Sequence, residues 1–179
     1  MIFISAGHHN ADPGAVANGL QENNLTKDVR NLIVQNLDPQ NTIQDKDFET
    51  NTQYQRRIKP GTGSVVFDIH FNAGSGTASG TECYVNSADA KNKGSLSYKM
   101  ADEISKVASK ILGIPNRGVK ADNQSQHSRI GILNLGSGIS VLWEVAFITS
   151  TNDIQQFNQK KAALTKEVAS ILKKYDALK

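Results

Sequence analysis

The sequence predicts an α/β protein with a mostly parallel, twisted sheet of about five or six strands, flanked by helices on both faces. Two observations predict this fold: strand-like runs alternate with amphipathic helical stretches, and the strands are apolar almost throughout. A third observation is that ionisable residues lie at the ends of three of these runs. Sites in such folds form in the crevice beyond the carboxyl ends of the strands. No linker or repeat divides the chain, so we expect residues 1–179 to form one domain.

Periodicity predicts the individual elements. An apolar stripe at helical spacing indicates a helix beginning near Asn24, and Gly113 is suited to end a second long helix. A polar loop is predicted over residues 115–130. The other predicted elements, in chain order, are strand 1–5, helix 24–37, strand 42–43, helix 53–58, strand 64–71, strand 81–85, helix 95–112, strand 139–145, and helices 153–157 and 161–175.

Composition excludes several classes of protein. The chain is 38% hydrophobic and 21% charged with a net charge of +3, which is typical of a soluble globular protein and does not indicate a nucleic-acid partner. No apolar stretch approaches the ~18–20 residues that a membrane span requires. The single cysteine, Cys83, excludes an intrachain disulfide and is predicted to be a buried side chain. We expect a monomer.

Glu144 is a carboxylate near the end of the most apolar run, residues 139–150, where burying a charge costs free energy unless the charge is used. Its neighbour Trp143 should face the opposite side of the sheet, in the core. In the predicted strand 64–71, alternation places Asp68, His70 and Asn72 on one face, with His70 and Asn72 near the strand end.

Two further residues have chemistry of the same kind. His8 follows the first strand in a glycine-flanked loop, and Glu22 lies just before the first predicted helix. Two of the ligand-type residues also have a structural interpretation: His70 as a hydrogen-bonded core histidine, and Glu22 as a favourable charge at a helix start.

Two imidazoles, one carboxylate and a spare carboxylate match the requirements of a catalytic zinc site. Three protein ligands leave a coordination position open for water, whose pKa falls toward ~7 on the metal. A glutamate that is not a ligand can then act as the general base. The spacing alone is not specific, because the residues are far apart and no local metal motif is present.

Five segments occur in an order that is more specific than any one of them. They are GHHNADPGA (7–15), GLQENNL (19–25), DIHFNA (68–73), RGVK (117–120) and LWEVAFITSTND (142–153). Together they resemble the zinc-dependent N-acetylmuramoyl-L-alanine amidases of the third amidase family, which includes sporulation hydrolases and phage endolysins. The resemblance covers nearly the whole chain. It implies that His8, Glu22 and His70 bind one zinc ion, that Glu144 is catalytic, and that the substrate is the amide joining N-acetylmuramic acid to L-alanine in peptidoglycan.

The chain departs from the family pattern at the first histidine. The family commonly has Asp-Pro-Gly-His-Gly-Gly there, whereas this chain has SAGHHN over residues 5–10, so the carboxylate that would orient His8 is missing. We hypothesise that Asp68 supplies it. In the loop where the family contacts substrate, His127 is a candidate for substrate contact, as is Asn72 at the strand end. Arg117 and Arg129 could bind peptide carboxylates through two hydrogen bonds each, and the alternative is that both are solvated loop charges.

Two alternatives remain open. One is a zinc carboxypeptidase or endopeptidase that cleaves within the stem peptide, and the other is a catalytically idle domain that binds cell-wall fragments. Loss of Glu144 or of a ligand would favour the idle domain, and neither is lost. No signal peptide or cell-wall-binding module is visible, so we expect cytoplasmic synthesis with action on the cell wall, as in a phage lysin, or secretion by a leader outside this sequence.

Overall fold

A computed structural model describes residues 1–126, 128–136 and 138–178. Six strands form one sheet in the order β4-β1-β5-β8-β6-β7, and β2 pairs with β3 in a small antiparallel hairpin. All neighbouring pairs in the large sheet are parallel except β6 with β8. The strands are β1 (Ile2–Ala6), β2 (Val16–Ala17), β3 (Leu20–Gln21), β4 (Thr42–Gln44), β5 (Val65–Asn72), β6 (Thr81–Val85), β7 (Asn116–Ala121) and β8 (Ile139–Phe147).

Helices cover the two faces of the sheet unequally. The helices are α1 (Glu22–Val34), α2 (Asn51–Arg57), α3 (Ser87–Lys91), α4 (Leu96–Leu112) and α5 (Thr151–Asp176). The three long helices α1, α4 and α5 pack together over one face and bury the larger core. A smaller apolar cluster on the other face includes Tyr54 of α2 and Ile132 of a 3-10 helix, Gly131–Asn134. No helix in the described part of the chain combines the length and apolarity needed to cross a membrane.

The predicted fold class is confirmed, and the alternation along β5 explains where the site can lie. Phe67 and Ile69 point into the larger core, as does Trp143 of β8, whereas Val66 joins the smaller cluster on the opposite face. The smaller cluster covers only part of its face. The carboxyl ends of the central strands are therefore left open on the side that carries Asp68 and His70.

Several predicted boundaries are wrong, two of them for identifiable reasons. Strand β7 occupies Asn116–Ala121 inside the predicted loop, because this edge strand has no fully buried residue and therefore lacks an apolar run. The two C-terminal helices are one helix, α5, because residues 158–160 contain neither glycine nor proline and Asn158 and Gln159 are exposed on its solvent face. Helix α1 begins at Glu22, two residues before the predicted start at Asn24.

Asp153 stabilises the part of the sheet next to Glu144. Its side chain is fully buried and accepts hydrogen bonds from the backbone N–H groups of Gly80, at 2.8 Å, and Phe147, at 3.1 Å. The same carboxylate accepts a bond from the hydroxyl of Ser79. Because Gly80 precedes β6 and Phe147 ends β8, one carboxylate holds the two antiparallel strands together beside Glu144.

Candidate active site and metal centre

Strand register brings together residues that are distant in sequence. His70 of β5 is paired with Glu144 of β8, and Glu144 is paired in turn with Glu82 of β6. Neighbouring strands lie ~4.8 Å apart, so the three residues form a row across the cleft face of the sheet. The chain separates them widely, and only the parallel crossover and the antiparallel β6–β8 pairing make them neighbours.

Glu22 joins the two candidate histidine ligands. Its Oε2 atom lies 3.1 Å from Nε2 of His8, and its Oε1 atom lies 3.0 Å from Nδ1 of His70. One ligand atom from each of the three residues lies within 4.8 Å of the others, so the group could hold a metal ion. The same carboxylate accepts backbone N–H bonds from Ala15 and Phe71, which fix its position.

Two glycines make room for this cluster. A Cβ atom at Gly7 would lie 2.4 Å from the ring of His70, and a Cβ atom at Gly14 would lie 2.5 Å from the ring of His8 and 2.7 Å from Glu22 Oε2. His8 itself has a φ of +68°, a backbone conformation that is uncommon for residues other than glycine and often occurs at functional sites. At Gly7 and Gly14 the backbone therefore lies directly against the side chains of the three residues, with no room for a Cβ atom between them.

Each histidine has a second carboxylate on the side away from Glu22. Nδ1 of His8 lies 2.8 Å from Oδ2 of Asp12, and Nε2 of His70 lies 3.3 Å from Oδ2 of Asp68. Ser5 donates to the other oxygen of Asp68 at 2.6 Å. The sequence suggested that Asp68 orients His8. In the structure, Asp68 instead contacts His70, and Asp12 contacts His8.

Asp12 is a residue that sequence reasoning missed. It lies four positions after His8, directly before Pro13 and Gly14, and its Oδ1 accepts the backbone N–H of Gly14. An aspartate before Pro-Gly is a common turn signal, and that role conceals its second contact. The turn bends the chain back so that the carboxylate meets His8.

The electrostatics of the cluster favour positive charge. Burial raises the pKa of Glu22, but hydrogen bonds and charge from His70 and His8 outweigh this and hold its pKa well below the ordinary value. Burial lowers the pKa of each histidine, yet the neighbouring carboxylates raise both above 6.5, His70 by the larger margin. The negative carboxylates thus stabilise cations on the histidine side of the cleft, which is also what a bound metal ion requires.

Glu144 has the opposite character. Its Oε2 atom is shielded from solvent and has no hydrogen-bond partner among the described residues. Burial, opposed by His70 and reinforced by the charges of Glu22 and Glu82, raises the pKa of Glu144 to about 7. A carboxylate kept poorly solvated beside a metal-type cluster is typical of a catalytic acid or base.

These residues open onto one cavity of about 560 Å³. Arg129 lines it as an exposed side chain, and Asn72 lines it as a half-buried one. His127 lies outside the described residues. The remaining lining includes His8, Glu22, Asp68, His70, Tyr84, Ile130 and Glu144.

Asn72 has a fixed orientation. Its Nδ2 group donates to Glu82 Oε1 at 2.9 Å, and because an ionised carboxylate only accepts hydrogen bonds, the carbonyl oxygen of Asn72 is directed away from Glu82.

The family follows from comparison with known proteins. Residues 2–174 match the family described as N-acetylmuramoyl-L-alanine amidase. The chain belongs to this family. It is therefore an enzyme, a peptidoglycan hydrolase of the amidase type, and the resemblance noted in the sequence is confirmed.

Individual relatives are similar to this chain over most of its length. The chain is 30% identical over 171 residues to the uncharacterised protein YqiI of Bacillus subtilis, covering 90% of this chain and 79% of that protein. It is 28% identical to the N-acetylmuramoyl-L-alanine amidase LytC of the same organism, covering 88% of this chain but only 31% of LytC. The crystal structure of an N-acetylmuramoyl-L-alanine amidase from Clostridium difficile 630 has the same fold, with a TM-score of 0.80, 17% identity, and coverage of 99% and 97% of the two chains.

Alanine variants of two glycines can distinguish a steric effect on the metal-type cluster from the effect of backbone strain. We expect Gly14→Ala to lower the affinity for a divalent metal ion at least ~10-fold, because the new methyl group displaces His8 and Glu22. Gly19→Ala is the matched control, since Gly19 also has a positive φ, +73° against +63°, but no atom lies within 4 Å of the position that its methyl group would occupy.

Both variants should lose similar stability, of about 1–3 kcal/mol, because both force alanine into the left-handed region. Calorimetric titration with zinc and thermal unfolding provide the two measurements. Equal metal affinities in the two variants would contradict the proposed role of Gly14.

Proposed function

We propose that the enzyme hydrolyses the amide between N-acetylmuramic acid and L-alanine with Glu144 as the general base, next to a zinc ion held by His8, Glu22 and His70. The observation that carries this proposal is the Glu144 carboxylate: its Oε2 atom has no hydrogen-bond partner among the described residues, and Glu144 is paired in register with His70 and lines the cavity. We further propose that residues 1–179 are the catalytic domain. Its setting, as a phage-type lysin or a secreted hydrolase, stays a prediction.

The donor set fits zinc. Two imidazole nitrogens and one carboxylate, with all three ligand atoms within 4.8 Å, match the ligand types of catalytic zinc sites that leave one position open. When bound, zinc supplies a Lewis acid for the scissile carbonyl and lowers the pKa of water. One ion per chain is proposed.

Glu144 performs the proton transfers. With a pKa raised to about 7, the carboxylate is basic enough to take a proton from the attacking water near neutral pH. The acid formed in that step is then strong enough to give the proton to the departing amine of L-alanine. Because Oε2 has no competing hydrogen bond among the described residues, neither transfer requires a protein contact to break.

The outer carboxylates orient the ligands. Asp12 fixes the ring of His8 through Nδ1, and Asp68 fixes the ring of His70 through Nε2, so each imidazole presents its remaining nitrogen toward Glu22. A carboxylate on the far nitrogen also makes an imidazole a stronger donor.

Replacing either outer carboxylate should weaken metal binding. We expect Asp12→Asn and Asp68→Asn each to lower zinc affinity roughly 10- to 100-fold, because each removes the charge that orients a histidine. Asp28→Asn is the control, since Asp28 forms a surface pair with Lys161, away from the histidines. Competition with a chromophoric chelator measures the affinities, and unchanged affinity in both variants would refute the orienting role.

Glu144→Gln tests the mechanism. This variant should fold and bind zinc as the wild type does, and its turnover of purified cell walls should fall ~100- to 10,000-fold, because amide nitrogen cannot accept the proton of water. Product analysis separates the alternatives: new N-terminal L-alanine with peptide-free glycan identifies an amidase, and shortened stems on intact glycan identify a peptidase. Wild-type activity must also stop when zinc is chelated, and normal turnover by the variant would exclude the mechanism.

Glu144 should also make stability depend on pH. Its folded-state pKa of about 7 lies above the ordinary 4.5, so between these values the folded state holds a proton that the unfolded state has released. Its contribution to stability is therefore greatest below pH 4.5 and is lost as the pH rises to 7. Glutamine stays neutral throughout.

In chelated protein, the free energy of unfolding of Glu144→Gln relative to wild type should therefore rise by about 1–3 kcal/mol from pH 4.5 to pH 8. Urea unfolding at both pH values measures the change, with Glu167→Gln on exposed α5 surface as control. A difference between Glu144→Gln and wild type that does not vary with pH would show that Glu144 is not held in a destabilising environment.

A further inference from the structure

A group of charged residues on β6 and β7 lies beyond Glu144 and has no part in the proposed proton transfers. We call Glu82, Arg117 and Lys120 the Glu82 cluster. Glu82 is 1% exposed, and its Oε2 atom accepts hydrogen bonds from Arg117 Nε at 2.5 Å and from Lys120 Nζ at 2.6 Å. Its Oε1 atom accepts bonds from Asn72 and from the hydroxyl of Tyr84, each at 2.9 Å. Asn72 and Tyr84 line the cavity, whereas Arg117 and Lys120 lie outside its lining, so the two cations are exposed at the surface beside the cavity.

The Glu82 cluster has surplus positive charge. Burial raises the pKa of Glu82, but the bonds from Lys120 and Arg117 outweigh it and hold the pKa below the ordinary value, so Glu82 is ionised at neutral pH. One negative charge then faces two positive charges. Within the described part of the chain, neither cation pairs with a second carboxylate, and their side chains remain 38% and 28% exposed. The excess charge is therefore accessible to an anion from outside.

Arg117 is preorganised to bind such an anion. Its Nε atom is held by Glu82, and its guanidinium carbon lies 5.0 Å from the centre of the Phe147 ring. Its two terminal nitrogens donate to no described residue. A guanidinium fixed through Nε presents these nitrogens as a fork that matches the two oxygens of a carboxylate.

The location of the Glu82 cluster suits the peptide side of the substrate. Glu82 is the register partner of Glu144, and the hydroxyl of Thr81 donates to the Glu144 carbonyl at 3.0 Å. Strand β7 lies two strands from β8, roughly 10 Å at ~4.8 Å per strand, a distance that two or three residues of extended peptide can span. On the glycan side the lactyl carboxyl is consumed in the scissile amide, so a free carboxylate near this bond must come from the stem peptide.

We propose that Arg117, supported by Lys120, binds a free carboxylate of the stem residue that follows L-alanine, and so makes the enzyme prefer acidic over amidated stems. The inference rests on the proposed function, because it assumes that the scissile amide lies between Glu144 and the metal site. Glu82 is a positioning residue in this arrangement, because its hydrogen bonds hold Arg117 in place and set the orientation of the Asn72 side-chain amide.

The test compares two soluble substrates, N-acetylmuramoyl-L-alanyl-D-glutamate with a free α-carboxylate and the same compound with that carboxylate amidated. The wild type should cleave the acid with a kcat/KM roughly 10-fold or more above that of the amide. Arg117→Gln should abolish this preference by lowering kcat/KM for the acid, mainly through KM, while turnover of the amide is kept. The variant should fold, because Glu82 keeps its bonds from Lys120, Asn72 and Tyr84.

Two arginine variants complete the design. Arg56→Gln, on the exposed surface of α2 and outside the cavity lining, should leave both substrates unaffected. Arg129→Gln tests the competing cation, which lines the cavity. Equal wild-type kcat/KM for the two substrates, a preference that survives Arg117→Gln, or a preference lost in Arg129→Gln instead would each overturn the proposal.

A binding measurement separates this inference from the proposed function. Calorimetric titration of both compounds into Glu144→Gln, alone and combined with Arg117→Gln, reports carboxylate recognition without turnover. If the wild type cleaves neither compound nor cell walls at the muramoyl–alanine amide, the proposed function fails. Tighter binding of the acid that depends on Arg117 would still support the carboxylate site, and equal binding of both compounds would overturn it.

Discussion

The carboxylate of Glu22 is the interaction on which the site depends. Its two oxygens contact His8, from the loop after β1, and His70, at the end of β5, and they also accept two backbone N–H bonds. Glu22 is the first residue of α1, where the helix dipole favours a negative charge. The two interpretations of Glu22 offered by the sequence, helix-start charge and metal ligand, are therefore compatible, because the helix start points the carboxylate at both histidines.

The surrounding residues fix the positions of the two imidazole rings that Glu22 contacts. Gly7 and Gly14 allow the backbone to approach the imidazoles, and Asp12 and Asp68 fix the far side of each ring. The buried Arg30 anchors the start of the His8 loop indirectly. It donates to Asp45, and Asp45 accepts the backbone N–H of Ala6, the last residue before the loop. The loop is thus anchored at its start, and Asp12 is held by the turn that follows.

On the other side of the cleft, the pKa values of two buried carboxylates differ because their hydrogen-bond partners differ. Glu82 has four hydrogen-bond donors and stays ionised, whereas Glu144, one strand away, has a shielded oxygen without a donor and a pKa raised to about 7. The contrast follows from the pairing of β6 with β7, which brings Arg117 and Lys120 to Glu82 but not to Glu144. The surroundings of Glu144 disfavour its ionised form, which destabilises the folded protein at neutral pH. Asp153 stabilises the same part of the sheet by joining the residue before β6 to the end of β8.

The sequence by itself determined the fold class, the opposite facing of Trp143 and Glu144, and the family, because these follow from the period of apolar residues and from ordered local segments. It predicted β5 to within one residue and located the end of α4 at Gly113, which has the left-handed conformation of a helix cap. Only the tertiary structure decided which carboxylate serves which histidine, that residues 116–121 form an edge strand, and that Glu82 lies beside Glu144. Those facts depend on strand order and on the reversal of β6, which are set by the packing of the whole chain and leave no periodic trace in the residues concerned.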